Sequence, residues 1–333
     1  MLTFLILAAL RSGGWAQAWN PRAATFIKQF GFTDAEVASI LAGEVVTRDL
    51  QTKDDNDVAI VGVVHVDASE QRLVEKPQEL EVFLKNGPVI EIGRFNNPPR
   101  VDDLVGLSLD PQDLEAMQSC RHGACDFQIG VAAMELVRKA DWSSRSGSTT
   151  FVGLLKQSIV DDLVAYQREG RMGVYVDNEK PKSVTEALRK NLEDSPYLAL
   201  GSPFIQYLLE YPKARLPDTE DIFYWSKERV RDPVTSIHHL VIHKTVDGEA
   251  TDYAIADKHI ADSHYFLAAM ELVWLLDDHD GKHGFYGVRL NRTRIDPPRR
   301  FRGLLLGRIK KAMKRAMRQS LRDTKMRLEA AGS

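Results

Sequence analysis

Cysteine is scarce: the 333-residue chain has two, Cys120 and Cys125. Two are too few for a disulfide scaffold or a four-cysteine zinc site. Long apolar runs are missing as well. Leu2–Leu10 (LTFLILAAL) is too short to span a bilayer, and no later segment reaches the roughly 18 uninterrupted apolar residues of a spanning helix. Charge of one sign is not in excess. Lys+Arg number 44 against Asp+Glu 47, a net charge of −3, so bulk charge does not recruit nucleic acid. Neither H-E-x-x-H nor G-x-S-x-G occurs, and the glycines lack phosphate-loop spacing. No catalytic residue, metal or cofactor is therefore assigned from motifs. What remains, 44% hydrophobic and 27% charged, is the composition of a globular protein.

The apolar start is followed by Ala16-Gln17-Ala18, small residues where a signal peptidase cuts. The expectation is a signal peptide over 1–18, a mature chain over 19–333, and a periplasmic or otherwise exported location. In such a compartment Cys120 and Cys125, within SCRHGACD, can close a small disulfide loop. Reduced thiols, or a metal pair with His122, are the alternatives.

Strand and helix signals alternate along the chain. Thr33 with Glu36 makes a capping box for a short helix over 33–42. Val58–Val66 and Val89–Phe95 read as strands, with a helical region over Ala68–Leu84 between them. From about 103 to 215 the signals are helical, which suggests a large helical insertion. Within it, Trp142–Thr150 reads as a polar loop. Strands return at Ile222–Val230, Thr235–Lys244, Asp252–His259 and Gly284–Leu290. Ser263–Leu276 reads as a buried helix or a strand plus helix, and Leu304–Leu328 as one long helix. Leu305, Ile309, Met313, Met317, Leu321 and Leu328 make an apolar stripe on it. Residues 299–333 carry a net charge of +10, the remainder −13. The basic back of the helix suits solvent, or an anionic membrane surface.

Five of nine histidines lie between 238 and 264: His238, His239, His243, His259 and His264. His239 and His243 share a strand face, and with His259 on a neighbouring strand they outline a facial nitrogen set for zinc or iron. Ordinary neutral histidines on a sheet face are the commoner arrangement. Aromatic residues concentrate in the same region. Tyr224, Trp225, His239, His259, His264, Tyr265, Phe266 and Tyr286 are the candidates for lining a ligand cavity.

The stretch VVHVDASEQRLVEKPQELEVFLKNGPVIEIGRF, the later strands and the terminal helix resemble the START-like (SRPBCC, helix-grip) superfamily. That resemblance covers about 44–95 and 222–328. It implies a single α+β domain in which a curved antiparallel sheet grips a long C-terminal helix around an apolar cavity. SCRHGACD, FYWSKE, IADSHYF and LNRTRID are similar to a group of exported bacterial proteins, which brings no activity with it. The superfamily implies a carrier or binding protein for a hydrophobic small molecule or lipid. A cavity enzyme, such as a cyclase or metal-assisted hydrolase using the 238–264 histidines, is the alternative.

Overall fold

The computed structural model describes residues 21–330 apart from 77–80, 82, 85–87, 121–126, 129, 172–173, 178–179, 199–201, 230–232, 248–249, 279–283 and 296–301. The expected signal segment 1–18, His122 and Cys125 lie outside the described residues, and with them the cysteine pairing. Cys120 is buried against Met134.

The fold is α+β. Eight strands form one antiparallel sheet: β1 (Val46–Asp49), β2 (Asp57–Val66), β3 (Val89–Arg94), β6 (Thr219–Arg229), β7 (Pro233–Asp247), β8 (Ala250–Asp262), β9 (Phe266–Asp277) and β10 (Phe285–Ile295). Their spatial order is β1-β2-β10-β9-β8-β7-β6-β3. A two-stranded ribbon, β4 (Val174–Asp177) and β5 (Lys180–Ser183), stands apart. Every residue of β2 is buried. Near-continuous apolar strands of this kind are expected where both faces of a sheet are covered.

One face carries the C-terminal helix, Arg302–Ala330. Ile309, Met313, Met317, Leu321 and Leu328 are buried against Val58, Ile60, Val64, Leu240, Ile255 and Val273. The side chain of Leu305 is not among those described. On the helix's outer side Lys314 bonds Asp49 at 3.0 Å and Arg318 bonds Thr47 at 2.8 Å. Part of the basic back is thus spent on tying the helix to edge strand β1.

Helix and sheet meet closely at Gly62. A Cβ there would lie 2.6 Å from Leu321 Cδ1 and 3.0 Å from Met317 Sδ. Both atoms are ends of flexible side chains, but Leu321 and Met317 are buried, so their room to shift is small and the overpacking costs about 1 kcal/mol. Gly62→Ala should therefore lower the urea midpoint, and Leu321→Ala in the same chain should recover part of the loss. A midpoint equal to wild type would mean that the helix yields freely.

The opposite face is covered by helices Pro21–Gln29 and Asp34–Leu41 and by the helical block. Leu163, Tyr166, Leu188, Leu192, Ile205 and Leu208 of that block pack on Val241, Ala256, Met270, Leu272 and Val288 of the sheet. Its remaining part, helices Pro111–Ser119 and Val131–Lys139, has a small core of its own around Met117, Met134 and Phe151.

Several boundaries differ from expectation. The segment 263–276 is neither helix nor strand plus helix but a turn and strand β9. Tyr265 takes a left-handed backbone (φ 64°) to make that turn, a place where glycine or asparagine normally signals one. The polar stretch 142–150 is not all loop. Ser144 accepts from the Gly147 amide at 3.1 Å and caps a helix running Arg145–Glu169. In the 68–84 region the described helix is shorter, with one segment at Gln71–Val74.

Candidate functional site

Alternation along a strand sends neighbours to opposite faces. This rule divides the polar residues of β6, β7 and β8 into two buried groups, one on each side of the sheet.

The first group lies in the seam between the sheet and the C-terminal helix. Tyr224, Ser226 and Glu228 come from β6, Ser236 and His238 from β7, and Asp257 and His259 from β8; all are buried. A register shift between Ile237 and His238 sets His238 opposite His259. The two imidazoles meet edge to face with centroids 4.5 Å apart. His238 Nδ1 lies 3.2 Å from Asp257 Oδ1. Tyr224 donates its hydroxyl to Asp257 Oδ2 at 2.7 Å, and burial, with Asp257 beside it, pushes the phenol well above its ordinary pKa. His259 Nδ1 meets Asp262 Oδ1 at 2.8 Å, and Ser236 donates to the same oxygen at 2.5 Å. His238 Nε2 meets Ser226 Oγ at 2.9 Å, which in turn donates to Glu228 at 3.1 Å. A hollow of about 20 Å³, lined among others by Glu228, Ser236, His259, Thr293 and Met313, adjoins the group. That is room for one water molecule. His238, Asp257 and His259 each offer a ligating atom within 4.8 Å of the other two. They are the residues with which this seam could hold a metal ion.

The second group lies under the helical block. Tyr166 donates to His239 Nδ1 at 2.8 Å, and His239 Nε2–H donates to Asp221 Oδ1 at 2.7 Å. Tyr207 donates to Asp221 Oδ2 at 2.7 Å. Lys258, fully buried, bonds the Leu208 carbonyl at 3.3 Å and sits over the Tyr166 and Tyr211 rings, 5.5 and 5.1 Å from their centroids. Burial raises the pKa of Asp221, but the bonds from His239 and Tyr207 and the nearby Lys258 outweigh it, and the carboxyl stays below its ordinary value. Burial pulls His239 down to about 4 and Lys258 down to about 7. The arrangement is an acid–base relay whose Asp221 end is 29% exposed.

The low value at His239 has a consequence for acid stability. As pH falls through 6.5 the unfolded chain takes up a proton that the folded histidine refuses until about 4. Folding stability therefore falls over that window, by roughly 3 kcal/mol from this group. His239→Gln should flatten the profile between pH 7 and 4, measured by urea unfolding at several pH values. Parallel profiles for variant and wild type would refute it.

The residues chosen from the sequence do not line one cavity. Tyr224, His259 and Phe266 share the seam, and Phe266 lines its hollow. Trp225 faces the other way, its Nε1 donating to the Asp103 carbonyl at 2.9 Å. His239 and Tyr286 are also on the far face, Tyr286 against His65 with centroids 4.8 Å apart. His264 and Tyr265 belong to the β8–β9 turn, where His264 bonds Asp113 at 3.2 Å. The facial set His239, His243 and His259 does not converge. His239 stacks on Phe223 and His243 on Phe204 across the sheet from His259. Sequence reasoning named His238 among the clustered histidines without placing it in a ligand set, and passed over Asp257, Glu228, Ser236 and Asp262. The available signal was Asp257-Lys258-His259, three polar residues in a row between Ala254-Ile255-Ala256 and Ile260-Ala261.

Comparison with protein-family models, with curated proteins and with solved structures finds no match to this chain, so the chemistry of both groups rests on their own geometry.

Proposed function

We propose that this chain is a binding protein whose working site is the buried polar seam between its sheet and its C-terminal helix. The observation that supports this is the composition of the seam. Two imidazoles, three carboxylates and several hydroxyls lie on a face that could have been apolar throughout. Buried polar groups are costly unless satisfied, and two hydrogen-bonded strings of them on one buried face, Tyr224–Asp257–His238–Ser226–Glu228 and His259–Asp262–Ser236, support a binding role. A pocket for a ligand of the kind the helix-grip resemblance implies encloses roughly 300–1,000 Å³. The hollow at the seam is about 20 Å³, so its geometry favours a small polar or ionic occupant. A cavity enzyme drawing on the 238–264 histidines uses the same residues. It is favoured by the carboxylate that orients each imidazole, Asp262 for His259 and Asp257 for His238.

Native mass spectrometry of protein purified from its own host tests the reading. The expected result is a mass increment that is released on denaturation and is lost in His259→Gln. A mass equal to the bare polypeptide would overturn it.

A further inference from the structure

The seam brings three ligating side chains to one place. His238 Nδ1 lies 3.2 Å from Asp257 Oδ1, and His238, Asp257 and His259 each offer an atom within 4.8 Å of the other two. With Nδ1–H donating to Asp257 the His238–Asp257 contact holds a proton, and a metal ion can take that proton's place.

Three observations favour a metal ion at this place. Nitrogen and oxygen ligands held about 2.1 Å from one ion lie roughly 3.0–3.4 Å apart, which matches the His238–Asp257 distance. Three atoms no more than 4.8 Å apart share a point at most about 2.8 Å from each, so side-chain movement of under about 1 Å brings all three to bonding distance. Each of the three residues also has an outer partner of the kind that orients metal ligands. Asp262 holds His259 at Nδ1 and turns Nε2 away from itself, the Ser226–Glu228 pair holds His238, and Tyr224 holds Asp257. A water-sized hollow adjoins His259, the one of the three residues that lines it.

We propose that His238, Asp257 and His259 form a site for a divalent first-row transition-metal ion, a two-histidine, one-carboxylate set. This rests on the seam being the working site and names its occupant. The nitrogen-rich ligand set selects zinc, iron or cobalt over magnesium and calcium, which prefer oxygen. The remaining coordination positions are left to solvent or substrate.

Metal-free full-length protein is incubated with Zn²⁺ or Co²⁺, passed through gel filtration, and its metal content measured by mass spectrometry. The Co²⁺ form is also read by its visible absorption bands. The expected result is about one ion per chain, not displaced by Mg²⁺. His259→Gln should abolish binding, and His243→Gln, across the sheet, should retain it. Asp262→Asn should weaken affinity about 10–100-fold, and it keeps the test open if His259→Gln does not fold. Wild-type protein that binds neither ion, or His259→Gln that still binds one, overturns the site. A metal-free protein that still releases another small molecule on denaturation fails this inference alone. A protein carrying neither fails the seam reading as well.

Discussion

Replacing Arg289 with Met should destabilise the fold by about 3–5 kcal/mol, the range for breaking a buried ion pair from one side. Arg289 is fully buried on β10, and its Nε donates to Glu271 Oε2 at 3.0 Å. Its other nitrogens donate to the Phe83 and Leu84 carbonyls at 2.7 and 2.8 Å and to Ser320 Oγ at 3.1 Å. One guanidinium thus joins the sheet, the 83–84 segment and the C-terminal helix. Methionine takes this cation from Glu271 and this donor from the Leu84 carbonyl, while the Phe83 carbonyl keeps the Ser320 hydroxyl at 2.8 Å. Replacing Glu271 with Met in the same chain should return much of the loss, because an apolar pair of similar volume often matches a buried ion pair. Urea unfolding of the two single variants and the double variant gives the coupling directly. A single Arg289→Met variant within about 1 kcal/mol of wild type would contradict this account.

Lys258→Met should act in the other direction. The folded lysine has a pKa near 7, against an ordinary value of 10.5. Between those values the unfolded chain binds a proton that the folded chain does not, so wild-type stability rises with pH from about 7 to 10.5. Below pH 7 the penalty is fully present, roughly 5 kcal/mol, a figure that already contains the pull of Asp221. The Met variant should be the more stable protein at pH 7, with the gap closing as the solution becomes alkaline. Tyrosine titration affects both chains alike and drops out of the difference. A gap that does not change with pH would show that the lysine is solvated in the folded state.

Much of the frame was legible in the sequence, because its causes are local. The Thr33–Glu36 box fixes a helix start, with Thr33 N to Glu36 at 2.8 Å. The β-branched run 58–66 and the apolar stripe of the last helix also fall where period and propensity place them. Strand β9 was less legible for a physical reason. FLAAMELVWLL is apolar on both sides and rich in helix formers, since helices cover both faces of the sheet there, so no alternation marks it as a strand. The site was legible as a region and not as a set. Tyr224 and Trp225 are neighbours in sequence and lie across the sheet from each other, as do His238 and His239. Which histidine meets His259 depends on a register shift between Ile237 and His238, and register is a property of strand pairing.

Strand order also dictates when this protein can fold. β2 lies between β1 and β10, and it pairs with β10 along Phe285–Val66 through Arg294–Asp57. A chain leaving the ribosome therefore exposes the apolar strand 57–66 until more than two hundred further residues have followed. The covering helix, Arg302–Ala330, arrives later still. Pairing so distant in sequence is slow and leaves an open edge that invites aggregation. Chains stopped before residue 285 should stay protease-sensitive and associate through β2, whereas chains extended to 330 should become resistant in a single step. Limited proteolysis of stalled nascent chains would distinguish that behaviour from folding in stages.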